Sequence, residues 1–214
     1  MQSGKFISFE GSEGCGKSTQ IRRFVDWLRA SGREVLVTRE PGGTVAGEKI
    51  RHLLQHDPEA AALRPESELL LFAASRAQLV REVIAPALAA GTWVVADRFL
   101  DSTTVYQGVG RGLGAETVGR INAFAVGATL PHLTFLLDLD SATGHARAVA
   151  ASGGKGDRME AEPPAFFEMV RQGYLDLARA EPDRIAVIDA STGVDEVFES
   201  LVAVFEARFS TPAS

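Results

Sequence analysis

The stretch Gly11-Ser12-Glu13-Gly14-Cys15-Gly16-Lys17-Ser18 constrains this chain more than any other. Its spacing is G-x-x-x-x-G-K-[ST]. It lies between the apolar run Phe6-Ile7-Ser8-Phe9 and a segment in which Ile21, Phe24, Val25 and Leu28 recur at helical spacing. Glycines let a backbone turn sharply enough to point successive N–H groups inward, and the following helix adds its positive end. Such a loop holds phosphates, with Lys17 reaching the β- and γ-phosphates of a nucleotide and Ser18 ligating Mg²⁺. The loop alone does not name a reaction: a kinase, a GTPase switch, an ATP-driven motor and a nucleotide-binding regulator all remain open. The guanine-reading N-K-x-D is absent from the chain. An acid inside the loop, Glu13, is unexpected where anions are to be held.

At 214 residues, 45% hydrophobic and 23% charged, the chain has material for one large α/β domain, which leaves little room for a motor's extra modules. The formal net charge of −6 disfavours nucleic acid and acidic membrane surfaces, so any anion site must be a local concentration of positive groups. Cys15 is the single cysteine, which excludes an intrachain disulfide and fits a reducing compartment. The first strand-like run follows directly on a short polar start without a signal-like apolar stretch, and no segment approaches the ~20 apolar residues of a membrane span. A soluble, cytoplasmic protein is the expectation.

Short apolar runs alternate with longer helix-period segments. Glu34–Arg39, Thr92–Asp97, Leu133–Asp140 and Arg184–Asp189 read as strands beside Phe6–Phe9, and Ser67–Ala90 reads as a long helix interrupted near its end by Pro86. This alternation predicts an α/β fold, a parallel sheet with helices on both faces. Right-handed crossovers would then bring the strands' carboxyl ends, and with them Glu10, Arg39, Asp97, Asp138 and Asp189, to one edge. Ala151–Pro164 is too rich in glycine and charge to be core and reads as a surface loop.

A second set of residues follows the strands. Arg39-Glu40-Pro41-Gly42-Gly43-Thr44 comes after the second strand, with Arg51 on a helix beyond it. Phe72 and Arg76 stand at i and i+4 and share one helical face. Asp97-Arg98-Phe99 ends the third strand, followed by Ser102, Thr103, Tyr106 and Gln107. This set offers arginines for a second phosphate, an aromatic platform for a base and polar groups for its edges.

The stretches FEGSEGCGKST, TREPGGT, EKIRHLL, LLFAASRAQLV, DRFLDSTTVYQGVGRG, GDRMEAE and VIDAS together resemble the thymidylate kinase family of nucleoside-monophosphate kinases, in the family's order and across most of the chain. The resemblance implies a P-loop NTPase three-layer fold, a five-stranded parallel sheet in one domain over 1–214, with a short mobile lid at about 151–164. It implies phosphorylation of dTMP to dTDP by ATP and Mg²⁺ in a homodimer. The alternatives are a kinase for another pyrimidine monophosphate and a nucleotide-binding switch without phosphotransfer.

The same resemblance assigns roles. Gly11, Ser12, Glu13, Gly14, Cys15, Gly16, Lys17, Ser18 and Thr19 would surround ATP with Arg147 and Ala190, and Ser18 and Asp97 would face the metal. Phe72 would stack on thymine, Arg76 would bond its edge beside Thr103, and Arg51 and Arg98 would grip the dTMP phosphate. Tyr106 would crowd the sugar's 2′ position, with Arg39, Pro41, Ser102 and Gln107 completing the pocket. Glu13 would hold the acceptor's 3′-hydroxyl, which gives the loop acid a purpose. Charge on the transferred group would be met by Lys17 and Arg98 and by a lid cation, Arg158 or Lys155, because the loop's variable positions carry no basic residue. Relatives with such a lid cluster arginines just before the motif, where this chain has VAASGGKG.

Overall fold

A computed structural model describes residues 4–152 and 162–209. Five parallel strands form one sheet: β1 (Phe6–Glu10), β2 (Val35–Arg39), β3 (Trp93–Asp97), β4 (Leu133–Asp138) and β5 (Ile185–Asp189), in the order β2-β3-β1-β4-β5. Helices cross between them: α1 (Lys17–Ala30), α2 (Val45–Gln55), α3 (Pro65–Leu79), α4 (Ala85–Ala89), α5 (Leu100–Thr103), α6 (Ala115–Val126), α7 (Ser141–Ser152), α8 (Pro164–Ala180) and α9 (Val194–Phe209). The expected fold class is the observed one.

The alternation of side chains along β1 shows how the layers divide. Ile7 and Phe9 face α1 and α9, in a core with Phe24, Phe135 and Phe205, where the Phe24 ring stands 5.4 Å from Phe135 and 5.5 Å from Phe205. Phe6 faces the opposite layer with Leu79, Val94 and Phe99. Ser8 shares that second face and bonds Thr134 Oγ1 at 2.7 Å. By the same period of two, Glu10 also points to the second face, beneath α5 and α8. A run buried on every residue cannot reveal this division, because both faces are covered.

The register aligns the strand ends. Asp97 pairs with Phe9 on one side and Arg39 on the other, and Asp138 pairs with Asp189. The polar residues that follow the strands therefore share the carboxyl edge, as expected.

Two boundaries differ from the sequence reading. The strand expected over 133–140 ends at Asp138, because Asp140 turns out of the sheet to accept the Thr143 N–H at 3.0 Å and start α7. The long helix starts earlier, with Pro65 in its first turn, and passes Pro86 by widening into a π-helical turn at Val80–Ile84 before α4. Proline offers no N–H and presses on the carbonyl one turn back, so the wider turn relieves a contact a regular helix could not hold.

Candidate active site

Between β1 and α1 the chain turns through the glycine loop. Gly16, at φ 91, is the N-cap of α1 and no side chain caps the helix, so its first N–H groups remain for a ligand. The Lys17 ammonium donates to the Gly11 and Ser12 carbonyls, both at 3.0 Å, and lies 3.6 Å from Cys15 Sγ. Gly14, at φ 70, passes so close to α7 that a Cβ there would lie 2.0 Å from the Gly144 carbonyl oxygen. A glycine on the loop thus faces a glycine on the helix.

The second set closes around a cleft beside the loop. Its walls include Glu13 and Pro41, Phe72 and Arg76 from α3, and Arg98 after β3. Ser102, Thr103, Tyr106 and Gln107 complete it from α5 and the π-helical turn Thr104–Gly110 that follows. Gln107 is buried and donates to Glu68 Oε1 at 2.8 Å. Nine acceptor-side residues picked from the sequence therefore surround one space, while Arg39 and Arg51 line the neighbouring loop cleft instead. Arg39 pairs with Glu48 at 3.0 Å, and Arg51 Nη1 donates to the Pro41 carbonyl at 3.0 Å.

Arg98 stands where the two clefts meet, together with Glu13, and both residues line both spaces. Its backbone is left-handed at φ 67, a conformation disfavoured for a side chain of this size. The buried Glu10 carboxylate holds that turn. Oε1 accepts the Phe99 N–H at 2.8 Å and the Ser102 N–H at 3.3 Å, and Oε2 accepts the Ser102 hydroxyl at 2.6 Å. The Arg98 guanidinium donates to Glu13 Oε1 at 2.5 Å, Ser102 Oγ at 3.1 Å, and the Tyr174 and Tyr106 hydroxyls at 3.2 and 3.4 Å. Burial would raise the Glu13 carboxyl, but Arg98 and then Lys17 outweigh it and hold the group below its ordinary range. Burial likewise works against the Arg98 charge, and Glu13 foremost more than restores it, lifting Arg98 well above its usual value. Burial pushes the Tyr106 hydroxyl up, so it remains an O–H at physiological pH.

Arg76 is almost wholly buried at 1% exposure. Nε donates to Glu40 Oε2 at 2.7 Å, Nη1 to Asn122 Oδ1 at 2.8 Å, and Nη2 to Thr103 Oγ1 at 2.8 Å and the Phe99 carbonyl at 3.3 Å. A guanidinium has five N–H groups, so these four bonds leave one, on Nη1, without an acceptor among the described residues. Burial raises the Glu40 carboxyl to about 7 against the pull of Arg76, and its Oε1 has no partner among the described residues.

The loop cleft is lined by Glu13 to Thr19 and by Arg147 of α7. Ser18 and Asp97 both reach it, one from the start of α1 and one from the end of β3. No group of three or more His, Cys, Asp or Glu able to hold a metal occurs among the described residues. Three donor-side expectations fall outside the cleft lining: Gly11 and Ser12 are buried beneath the loop, and Ala190 packs into the core against α1 and α9. Lys155 and Arg158 lie outside the described residues.

The family model of thymidylate kinase matches residues 9–201. The chain belongs to the thymidylate kinase family. It is 52% identical over 209 residues to a thymidylate kinase of Geobacter sulfurreducens, covering 96% of this chain and 98% of that one. A thymidylate kinase of Kosmotoga olearia is 50% identical over 202 residues, 94% of each chain. A crystal structure of thymidylate kinase from Ehrlichia chaffeensis superposes with a TM-score of 0.75 at 32% identity, covering 95% of this chain and 99% of that one. As a thymidylate kinase family member the chain is an enzyme, with the P-loop fold seen in its sheet and loop.

Four residues important to this site carry no role in the sequence reading: Glu40, Asn122, Tyr174 and Gln55, the last on the wall of both clefts. Glu10 was notable there only as an acid after a strand. Glu40 stands inside REPGGT, and its place in that stretch is the one signal the sequence offers for it. Asn122 and Tyr174 come from distant helices and had none.

Proposed function

We propose that the protein transfers the γ-phosphoryl group of ATP to dTMP, giving dTDP. The observation that carries this reading is the shared edge of the two clefts. A donor on the glycine loop and an acceptor against Phe72 and Arg76 would meet at Arg98 and Glu13. The attacking group is already an anionic phosphate oxygen, so no general base is needed. Positioning and charge stabilisation do the work.

In this reading Lys17 exchanges its carbonyl partners for the donor's β- and γ-phosphates, and Arg98 meets the acceptor phosphate and the migrating group. The Arg76 N–H left over on Nη1 meets one base-edge oxygen, and the Phe72 ring lies against the base. Glu13 accepts from the sugar's 3′-hydroxyl, Tyr106 closes the 2′ side, and Thr103 and Gln107 hold the pocket's polar wall. Arg51 adds charge at the phosphate end.

Ser18 and Asp97 would hold Mg²⁺. One hydroxyl and one carboxylate suit an ion that keeps waters and phosphate oxygens in its shell. Bound there, the ion neutralises charge on the donor phosphates. We read the chain as a single domain over 1–214; the lid expected at about 151–164, with Arg158 or Lys155 as its cation, falls largely on residues outside those described. Leu70 on α3 and Phe124 on α6 are left 57% and 84% exposed on helices that pack together, which supports a homodimer through that side. No helix among the described residues is long and apolar enough to cross a membrane, in keeping with a cytoplasmic enzyme.

Coupled ADP release with ATP and Mg²⁺ tests the reading, with dTMP, dUMP, UMP and CMP as acceptors. Turnover strongest with dTMP and weaker with dUMP is expected. ADP release indifferent to every monophosphate would refute it in favour of a nucleotide-binding switch.

A further inference from the structure

Tyr174 lies on α8, distant in sequence from every other group around Arg98, and lines neither cleft. Its hydroxyl nevertheless touches three of them. It donates to Glu10 Oε2 at 2.8 Å and accepts from Arg98 Nη1 at 3.2 Å. It also lies 2.9 Å from Ser102 Oγ, where one hydroxyl donates to the other only by giving up its bond to Glu10. The ring is buried with Tyr106, Phe166 and Val170. The residue before it allows this approach. A Cβ on Gly173 would stand 3.1 Å from Val105 Cγ1 and 3.3 Å from Val109 Cγ2, so a side chain there would press α8 away from the π-helical turn. Gly173 lets α8 come close, and Tyr174 uses the proximity.

We propose that Tyr174 is a positioning residue for phosphoryl transfer, its hydroxyl fixing the Arg98 guanidinium at the meeting of the two clefts. This rests on the role given to Arg98 above. Satisfying a buried carboxylate does not require the tyrosine. Glu10 already accepts from two backbone N–H groups and from the Ser102 hydroxyl, and these bonds survive without it. What the hydroxyl adds is a bond to Nη1, on the opposite side of the guanidinium from Nη2, which Glu13 holds. Nη1 is then held through both its N–H groups, by Ser102 Oγ at 3.1 Å and by Tyr174, whereas Ser102 alone would hold it through one and leave it freer to swing from its place opposite Glu13. Burial pushes the tyrosine hydroxyl well above its usual range, so it stays an O–H wherever the enzyme works.

The test is a double-mutant cycle of Tyr174→Phe and Arg98→Lys, with kcat and both KM values measured for each. Tyr174→Phe is expected to lower kcat about tenfold while the KM for ATP stays within about twofold. In the Arg98→Lys background the same change is expected to do almost nothing further, because the group it positions has gone. Val170→Ala loosens the same helix without touching Arg98 and is expected to lower the thermal midpoint with kcat kept. An equal loss of kcat from Tyr174→Phe in both backgrounds would overturn the proposal. So would an unchanged kcat in Tyr174→Phe when Arg98→Lys is impaired. Full activity in Arg98→Lys would instead remove the role assigned to Arg98, and the proposal with it.

Discussion

Gly144→Ala sets two effects of opposite sign against each other. Gly144 lies inside α7, where alanine is intrinsically better by roughly 1 kcal/mol. On propensity alone the variant would be more stable. But a Cβ at this position would lie 2.6 Å from the Glu13 carbonyl oxygen. Side-chain carbons do not approach backbone oxygens closer than 3.0 Å, so loop and helix must part by at least 0.4 Å, the difference of the two distances. Neither side yields easily, because one is a helix backbone and the other a loop whose carbonyls hold Lys17. Overpacking of this kind costs about 1–3 kcal/mol, so the net change is a loss of up to about 2 kcal/mol. The displaced residue is Glu13, which carries the ion pair to Arg98, so activity should fall along with stability, by about tenfold in kcat/KM. Urea unfolding and coupled ADP release on the same preparation decide it. A variant more stable than wild type with unchanged kcat/KM would show that the loop and α7 are not in contact as described.

Phe72→Ala should raise the KM for dTMP about tenfold or more, the value of one stacked base, with the KM for ATP unchanged, as initial-rate kinetics will show. Lys17→Met should lower kcat by about 10²-fold or more while the melting temperature stays near wild type, because its ammonium bonds only loop acceptors. The Glu40 carboxyl, raised to about 7 by burial, binds its proton more tightly in the folded chain than in the unfolded one. Its contribution is therefore present below the ordinary carboxylate range and lost as pH rises through about 7, and Glu40→Gln should flatten that fall in unfolding free energy between about pH 5 and pH 8. Equal slopes in the two proteins would contradict this.

The sheet was legible because buried parallel strands are short continuous apolar runs, and all five appeared within two residues of their observed ends. Asp140 was misplaced because an acid after an apolar run looks the same whether it ends a strand or caps a helix. The phosphate-binding loop was legible because backbone geometry demands glycine at fixed spacing, a requirement written directly in the sequence. The walls of the second cleft were legible as residue types. Their partners were not: the pairing of Arg76 with Glu40 and Asn122, or of Arg98 with Tyr174, depends on how distant elements pack. The Ala190 side chain packs into the core between α1 and α9, which a small residue beside a polar turn does not announce.

Glu13 then takes a place that neither the loop nor the second cleft explains alone. A carboxylate among groups that bind phosphate weakens them unless a cation offsets it, and here Arg98 does so. The same contact means that Arg98 is not a free cation awaiting any anion. A phosphate that engages it has to compete with a carboxylate whose charge Arg98 and Lys17 already stabilise. A dianionic acceptor phosphate at the shared edge can compete, since it brings more charge and more acceptor oxygens than Glu13 offers. As Arg98 turns toward that phosphate, a Glu13 oxygen becomes available to a sugar hydroxyl of the same molecule. On this reading one ion pair couples recognition of the acceptor's phosphate to recognition of its sugar. A monophosphate lacking a hydroxyl within reach of Glu13 would pay for breaking the pair without recovering it, and free phosphate would gain only half of the exchange.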